Sequence, residues 1–227
     1  MICAVHQPNY IPYLGFFDKY KKSDIFILYD TAQYSKNDFH NRNRIKTANG
    51  PLWITIPTSI HFGQQIKDAT VADKDILKKH LDIIKRHYEG SAEFTGTIGW
   101  LAEIYKSIGN VKGLVDINVP TLKSFFNIFD GNKKILLASE LGIDPALKST
   151  AALVAMCRAV GADTYLSGPG AKVYLDESLF ATAGIKLIWQ DFHHPEYPQL
   201  WGEFIPNLSV VDALFNVGTG KLKDLLG

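Results

Sequence analysis

Short apolar runs punctuate this chain, and their spacing sets the expected fold. "MICAV" and "IFILYD" are of strand length and apolar throughout, the mark of strands covered on both faces. Between them Pro12 suits the first turn of a helix that runs to about Lys22. Strand, helix and strand in about 30 residues make a βαβ unit, with a parallel sheet and a right-handed crossover expected. "PLWITIPT" reads as a further strand. Before it, "TAQYSKNDFHNRNRIKTANG" reads as a long polar loop; such a loop in a compact domain is usually functional or disordered, and its Tyr and Phe and the strand right behind it favour a functional one.

The middle of the chain changes period. Leu77, Leu81, Ile84 and Tyr88 share one helical face, which predicts a helix over residues 75–88. A second is expected over residues 94–108, and "TLKSFFNIF" and "KKILLASELG" also read as helices. The α/β rhythm then returns. Ser149 and Thr150 cap a helix that stops at Gly161, "TYLSG" is a strand, "AKVYLDESLFATAG" a helix and "IKLIWQDF" a strand. "NLSVVDALFNVG" is a last helix, capped by Asn207 and stopped at Gly218. The expected class is α/β: a Rossmann-like, mostly parallel sheet in a single domain over residues 1–227. A mostly helical insertion, about residues 70–145, would pack on its core.

Composition narrows the partners. The 227 residues are 46% hydrophobic and 21% charged, enough for one substantial core. A net charge of +1, with no run of like charges, leaves no field to recruit nucleic acid, so none is expected as a partner. The 13 Phe, 10 Tyr and 4 Trp argue against disorder. Cys3 and Cys157 lie in apolar settings and read as buried small hydrophobes of a reducing compartment. The start lacks a basic segment followed by an apolar one, and no stretch approaches the roughly 20 apolar residues that span a bilayer, so a cytoplasmic protein is expected.

Parallel sheets bind ligands at the C-terminal ends of their strands. Two loops at that position carry suitable groups. His6 follows the first strand directly, with Gln7, Asn9, Tyr10 and Tyr13 beside it; it would serve as a base or phosphate donor, or else as a structural pin to the backbone. Gly15 reads as room for helix packing. Ser167, Gly168 and Gly170 of "SGPG" form either a tight turn or an anion loop opening a helix. The polar loop adds Gln33, Tyr34, Lys36, Asn41, Arg42, Asn43 and Arg44. Arginines at i and i+2 of an extended segment point two forks the same way, which suits phosphate or carboxylate. Near the end, Asp191 and His194 suggest a wall of the site; adjacent histidines point apart and no HxH or HExxH spacing appears, so no metal is expected. Neither a GxSxG elbow nor a CxxC pair is present.

"HQPNYIPYLGFFDKYKKSDIFILYD", "QYSKNDFHNRNRIKTANG", "YLSGPGAKVYLDESLFATAGI" and "HPEYPQLWGEFIPNLSVVDALFN", in that order, resemble the WbqC-like protein family. The resemblance covers almost the whole chain. It implies a setting in bacterial O-antigen and other surface-polysaccharide gene clusters, and a role in transferring glycine onto a sugar. It brings no catalytic residues. The first βαβ unit is also similar to the start of nucleotidylyl-transferase folds, whose HxGH loop holds ATP phosphates. Here His6 takes the first position, but "PYLG" stands where a second histidine would. The expected activity is therefore an acyl or glycyl transferase, or an ATP-using amide ligase, acting on a phosphorylated or nucleotide-linked amino sugar. The alternative is a non-catalytic module that binds a sugar nucleotide or a carrier.

Overall fold

The computed structural model describes residues 1–227, the side chain of residue 130 apart. Five of the apolar runs pair as one parallel sheet: β1 (Ile2–His6), β2 (Ile25–Leu28), β7 (Lys134–Leu137), β8 (Thr164–Ser167) and β9 (Lys186–Trp189). The strand order is β7-β2-β1-β8-β9. The register sets Val5 opposite Ile27, Ala4 opposite Leu166, Leu28 opposite Leu137 and Tyr165 opposite Leu187. The chain builds outward from β1 to β2 and β7, then crosses to β8 and β9 on the other side. The order thus reverses between β1 and β8, and their C-terminal ends flank a crevice.

Alternation along the strands loads both faces of the sheet. Ala4, Phe26 and Leu28 join one buried cluster with Phe16, Phe17 and Tyr20 of α1 (Leu14–Lys21) and Phe125 and Phe126 of α4 (Leu114–Asp130). Cys3, Val5, Ile25 and Ile27 face the opposite cluster, with Met156 and Cys157 of α5 (Ser149–Ala159) and Phe180 of α6 (Glu177–Thr182). Both cysteines are buried free thiols, as their apolar surroundings suggest. Rings stack closely in the first cluster; Tyr20 and Phe126 centroids are 4.1 Å apart. The helices α2 (Ile76–Tyr88) and α3 (Phe94–Ile108) lie where their apolar periodicity predicts. No helix among the described residues is long and apolar enough to cross a membrane.

Five local expectations are overturned, the first being that Ser149 and Thr150 cap α5: they lie inside it, and Lys148 is its N-cap. "KKILLASELG" is not a helix: it is β7 followed by one 3-10 turn, Ala138–Glu140. A four-residue apolar run carries no period of its own, and pairing with β2 decides its state. "AKVYLDESLFATAG" is broken into a 3-10 turn, Pro169–Val173, and α6, because Asp176 caps α6 by accepting from the Ser178 N–H at 3.0 Å. α7 (Val210–Asp224) is capped by Ser209, not Asn207; at Gly218, the expected stop, the backbone leaves the helical region (φ +74°) and a second short helical stretch follows. The second half of the polar loop is a strand. β3 (Arg42–Thr47) pairs antiparallel with β4 (Gly50–Thr55), and Gly50 at φ +95° closes the hairpin. The Asn49-Gly50 dipeptide is the turn signal that marks it. β5 (Thr58–Ser59) and β6 (Thr70–Val71) form a second short antiparallel pair.

Candidate functional site at the sheet switch point

The His6–Tyr13 loop is tied down on every side. The Asn118 amide donates to the Pro8 carbonyl at 2.7 Å, and the Tyr10 N–H donates to the Phe39 carbonyl at 3.0 Å. The Ile11 carbonyl accepts from Asn43 at 2.9 Å and from the Ser209 hydroxyl at 2.7 Å. The Val210 N–H donates to the Pro12 carbonyl at 2.7 Å. Ile11 sits at φ +36°, a strained conformation for a β-branched residue. A loop so over-determined presents fixed groups.

Two cavities meet at this loop. The first, about 420 Å³, lies between the ends of β1 and β8 and is lined by Lys19, Ser167, Gly168 and Gly170. The second, about 430 Å³, is lined by Asn9, Asp38, Asn43 and Arg44. His6, Gln7 and Tyr13 belong to both linings, so they form the partition. A third cavity, about 390 Å³, opens at the ends of β2 and β7, with Gln33, Lys67 and Ser139 in its wall.

Burial and charge fix the protonation of the partition. The His6 ring packs edge-on against Phe16, and its Nδ1 lies 3.1 Å from the Gln7 carbonyl. A carbonyl only accepts, so Nδ1 carries the proton and Nε2 keeps its lone pair. Burial, and then the charge of Lys19, push the His6 pKa down to about 3, with the Gln7 carbonyl opposing. His6 is therefore neutral at pH 7. Lys19 is buried and donates to the Val5 carbonyl at 3.3 Å. Burial lowers its pKa to about 8, which leaves it mostly protonated at pH 7.

The second cavity is cationic and partly unsatisfied. Arg42 and Arg44, on one face of β3, flank the Trp53 ring, with guanidinium carbons 4.2 Å and 5.5 Å from its centroid. Their directions then diverge. Arg42 reaches back to Asn37, bonding its carbonyl and side-chain oxygen, whereas Arg44 lines the cavity. Asn9 Oδ1 and Arg44 Nε, like Arg42 Nε beside them, are buried without a hydrogen-bond partner among the described residues.

Several expected site residues stand elsewhere. The Tyr10 hydroxyl points into the helices, 2.8 Å from His80 Nδ1 and 2.8 Å from the Tyr105 hydroxyl. The Tyr34 hydroxyl meets Thr58 at 2.8 Å, and the Asn41 amide donates to the Ile56 carbonyl at 3.0 Å, so both hold the loop in place. Lys36 is exposed and lines none of these cavities. Gln33 falls in the third cavity. Asp191 is at the surface, 3.5 Å from His193. The His194 ring packs among Phe192, Tyr197 and Phe204. That segment is anchored from within: Asp212 accepts from Tyr197 at 2.9 Å and Gln199 at 2.8 Å. The expectation that a helix dipole assists "SGPG" fails, since only the 3-10 turn follows it. Gly15 fulfils the packing reading: a Cβ there would lie 2.4 Å from the Tyr13 ring and 2.8 Å from Phe192.

Lys19 is the site residue that the sequence reading missed. "DKYKK" looks like a solvated helix end, and nothing in it distinguishes the buried lysine from its exposed neighbours. The signal is Gly15 four residues earlier, since helical neighbours at that spacing share a face.

A family model described as the WbqC-like protein family matches residues 7–224. The chain belongs to the WbqC-like protein family. It is also 37% identical over 218 residues to the uncharacterized protein Rv1507c of Mycobacterium tuberculosis (strain ATCC 25618 / H37Rv), across 95% of this chain and 93% of that one. The matched span of this WbqC-like protein takes in the His6 loop's remaining residues, the hairpin, the Ser167–Gly170 turn and α7.

Proposed function

We propose that this WbqC-like protein joins an acyl or aminoacyl group to the amine of a phosphorylated, nucleotide-linked amino sugar. The observation that carries the reading is the position of neutral His6 between two cavities, one holding Lys19 and the other Arg44. Two polar substrates meeting at a fixed hydrogen-bond acceptor is an arrangement that suits amide formation. A free carboxylate does not condense with an amine at pH 7, so the acyl group arrives activated, as an adenylate formed from ATP or as a carrier thioester. The amine nitrogen bonds to the acyl carbon while the bond from that carbon to AMP or thiolate breaks. The proton lost by the amine leaves with the departing AMP or thiolate, while His6 Nε2, too weak a base to keep it, accepts the amine's hydrogen bond and orients its lone pair. Arg44 and Asn9 would orient the acyl side. The family resemblance suggests glycine as the acyl group and surface-polysaccharide synthesis as the setting.

A specific observation favours a second reading, a binding module without chemistry. The described linings of the two cavities hold one carboxylate, Asp38, and no cysteine, so no paired acids and no thiol nucleophile face the ligand. Mass spectrometry separates the two. The protein is incubated with UDP- and dTDP-linked amino sugars, glycine and ATP, or with a glycyl thioester, alongside His6→Gln. A glycyl-sugar nucleotide made by the wild type and lost in the variant supports transfer. Binding of the sugar nucleotide without product supports the module.

A further inference from the structure

The first cavity holds a cation that the protein does not neutralise. Lys19 is 6% exposed, and among the described residues no carboxylate lies within 4.0 Å of its ammonium. The acid next to it in the chain is engaged elsewhere: Asp18 Oδ1 takes Lys22 at 2.8 Å and Oδ2 takes the Gln190 amide at 2.6 Å. An ammonium buried with one carbonyl for company opposes folding, and an apolar side chain of similar volume would sit there more stably. The space beside it is kept clear. A Cβ on Gly168 would lie 3.7 Å from Lys19 Nζ, and one on Gly170 would meet nothing within 4 Å. Both glycines leave bare backbone facing the cavity.

We propose that Lys19 and the Ser167–Gly170 turn are the seat of a phosphoryl group, the ester or diphosphate of a nucleotide. A compact ammonium is a point charge that meets a tetrahedral anion from any side, as phosphate-loop lysines do; the Arg44 fork binds carboxylate or phosphate alike, so it is the wall of the Lys19 cavity that assigns the sides. The Ser167 hydroxyl makes a long 3.4 Å contact to the Gly168 carbonyl and a hydrogen bond with the Tyr165 hydroxyl, so it would donate to such a group by exchanging those partners. The remaining wall mixes apolar and aromatic side chains, Leu153, Tyr165 and Tyr174 among them, with the polar Gln7 and Ser149, a lining that suits a nucleoside. The cavity of about 420 Å³ lies within the usual range of small-ligand sites. The inference rests on the proposed function for its two-substrate site and assigns the sides: nucleotide by Lys19, acyl group by Arg44.

Calorimetric titration tests it with pyrophosphate, AMP and UDP, and with adenosine and uridine as phosphate-free counterparts. The phosphate compounds bind, and Lys19→Met raises their Kd about ten- to a hundredfold. The same variant keeps or raises the unliganded Tm, and Lys36→Met changes neither quantity. Unaltered affinity in Lys19→Met, or a fall in Tm with affinity preserved, makes Lys19 a pin for the Val5 carbonyl and overturns the proposal. Should that variant not fold, the Lys19 side-chain NMR resonance of the wild type is followed as pyrophosphate is added. Its movement supports the seat and its silence refutes it. Amide product without phosphate binding here refutes the seat and spares acyl transfer; binding without product does the reverse.

Discussion

Asn43 donates its side-chain amide to the Ile11 carbonyl at 2.9 Å, so the β3 hairpin holds a strained loop residue in place. The same amide lies 3.3 Å from the Tyr10 carbonyl, and Asn43 Oδ1 accepts from the Arg44 N–H at 2.8 Å. One buried side chain therefore couples the partition to the cationic strand. Replacing it by Ala orphans the Tyr10 carbonyl, leaves the Ile11 carbonyl to Ser209 alone and loosens a residue held at a strain of about 1–3 kcal/mol. Asn43→Ala is expected to lose about 2–3 kcal/mol in urea unfolding. Hydrogen exchange should quicken at residues 7–13. A fully stable variant with unchanged exchange would mean that the other anchors suffice.

Arg42 and Arg44 look alike in sequence and share the Trp53 ring, yet they have different partners. Arg42 is committed to Asn37, and its loss touches the loop surface. Arg44 lines the second cavity instead, and the Nε of both arginines is unpaired. Arg44→Ala is expected to weaken binding of a carboxylate probe, glycine or acetyl-glycine, by about 1.5–3 kcal/mol, the worth of a charge-assisted hydrogen bond. Arg42→Ala is expected to change it by less than about 0.5 kcal/mol, as for a surface substitution. Equal losses in the two variants, read by calorimetry, would show that the pair acts as one field rather than as one contact.

The sheet was the most legible part of this chain. Apolar runs such as "ICAV" and "IFIL" are buried on both faces, so their state follows from length and side-chain type. β7 was not legible, because "KILL" has the same composition as a helix turn and its neighbour β2 is remote in sequence. The same limit governs the site. His6 and the Ser167–Gly170 turn are readable as strand-end loops, but they share a cavity because the strand order reverses between β1 and β8, a property of pairing. Tyr10 and Arg42 carry the right chemistry for ligands and are satisfied internally, which residue type does not reveal. Lys19 shows the converse: a common surface residue whose burial depends on the β1 and β8 ends packing over it.

His80 links the fold to pH. Its ring is 2% exposed and bonded at both nitrogens. The Thr55 carbonyl, 3.2 Å from Nε2, only accepts, so Nε2 carries the proton. Nδ1 then accepts from the Tyr10 hydroxyl, and the Tyr105 hydroxyl is left to donate to Tyr10. This closed chain exists with a neutral ring. Burial lowers the His80 pKa to about 4, against the pull of the Thr55 carbonyl and Asp73. The unfolded chain takes its proton at about pH 6.5. Between these values the unfolded state holds one more proton than the native state, so stability rises with pH there. It is fully present above about pH 6.5 and falls as the pH drops toward 4, by at most about 1.4 kcal/mol per unit from this residue. His6, whose pKa is also depressed, contributes in the same direction. The difference between wild type and His80→Gln isolates His80, since the amide keeps a donor and an acceptor but does not titrate. Urea unfolding at pH 7, 6 and 5 is expected to give the variant a slope flatter by about one proton between pH 6 and 5. Parallel slopes would place the titration elsewhere and leave the tyrosine–histidine chain a packing feature alone.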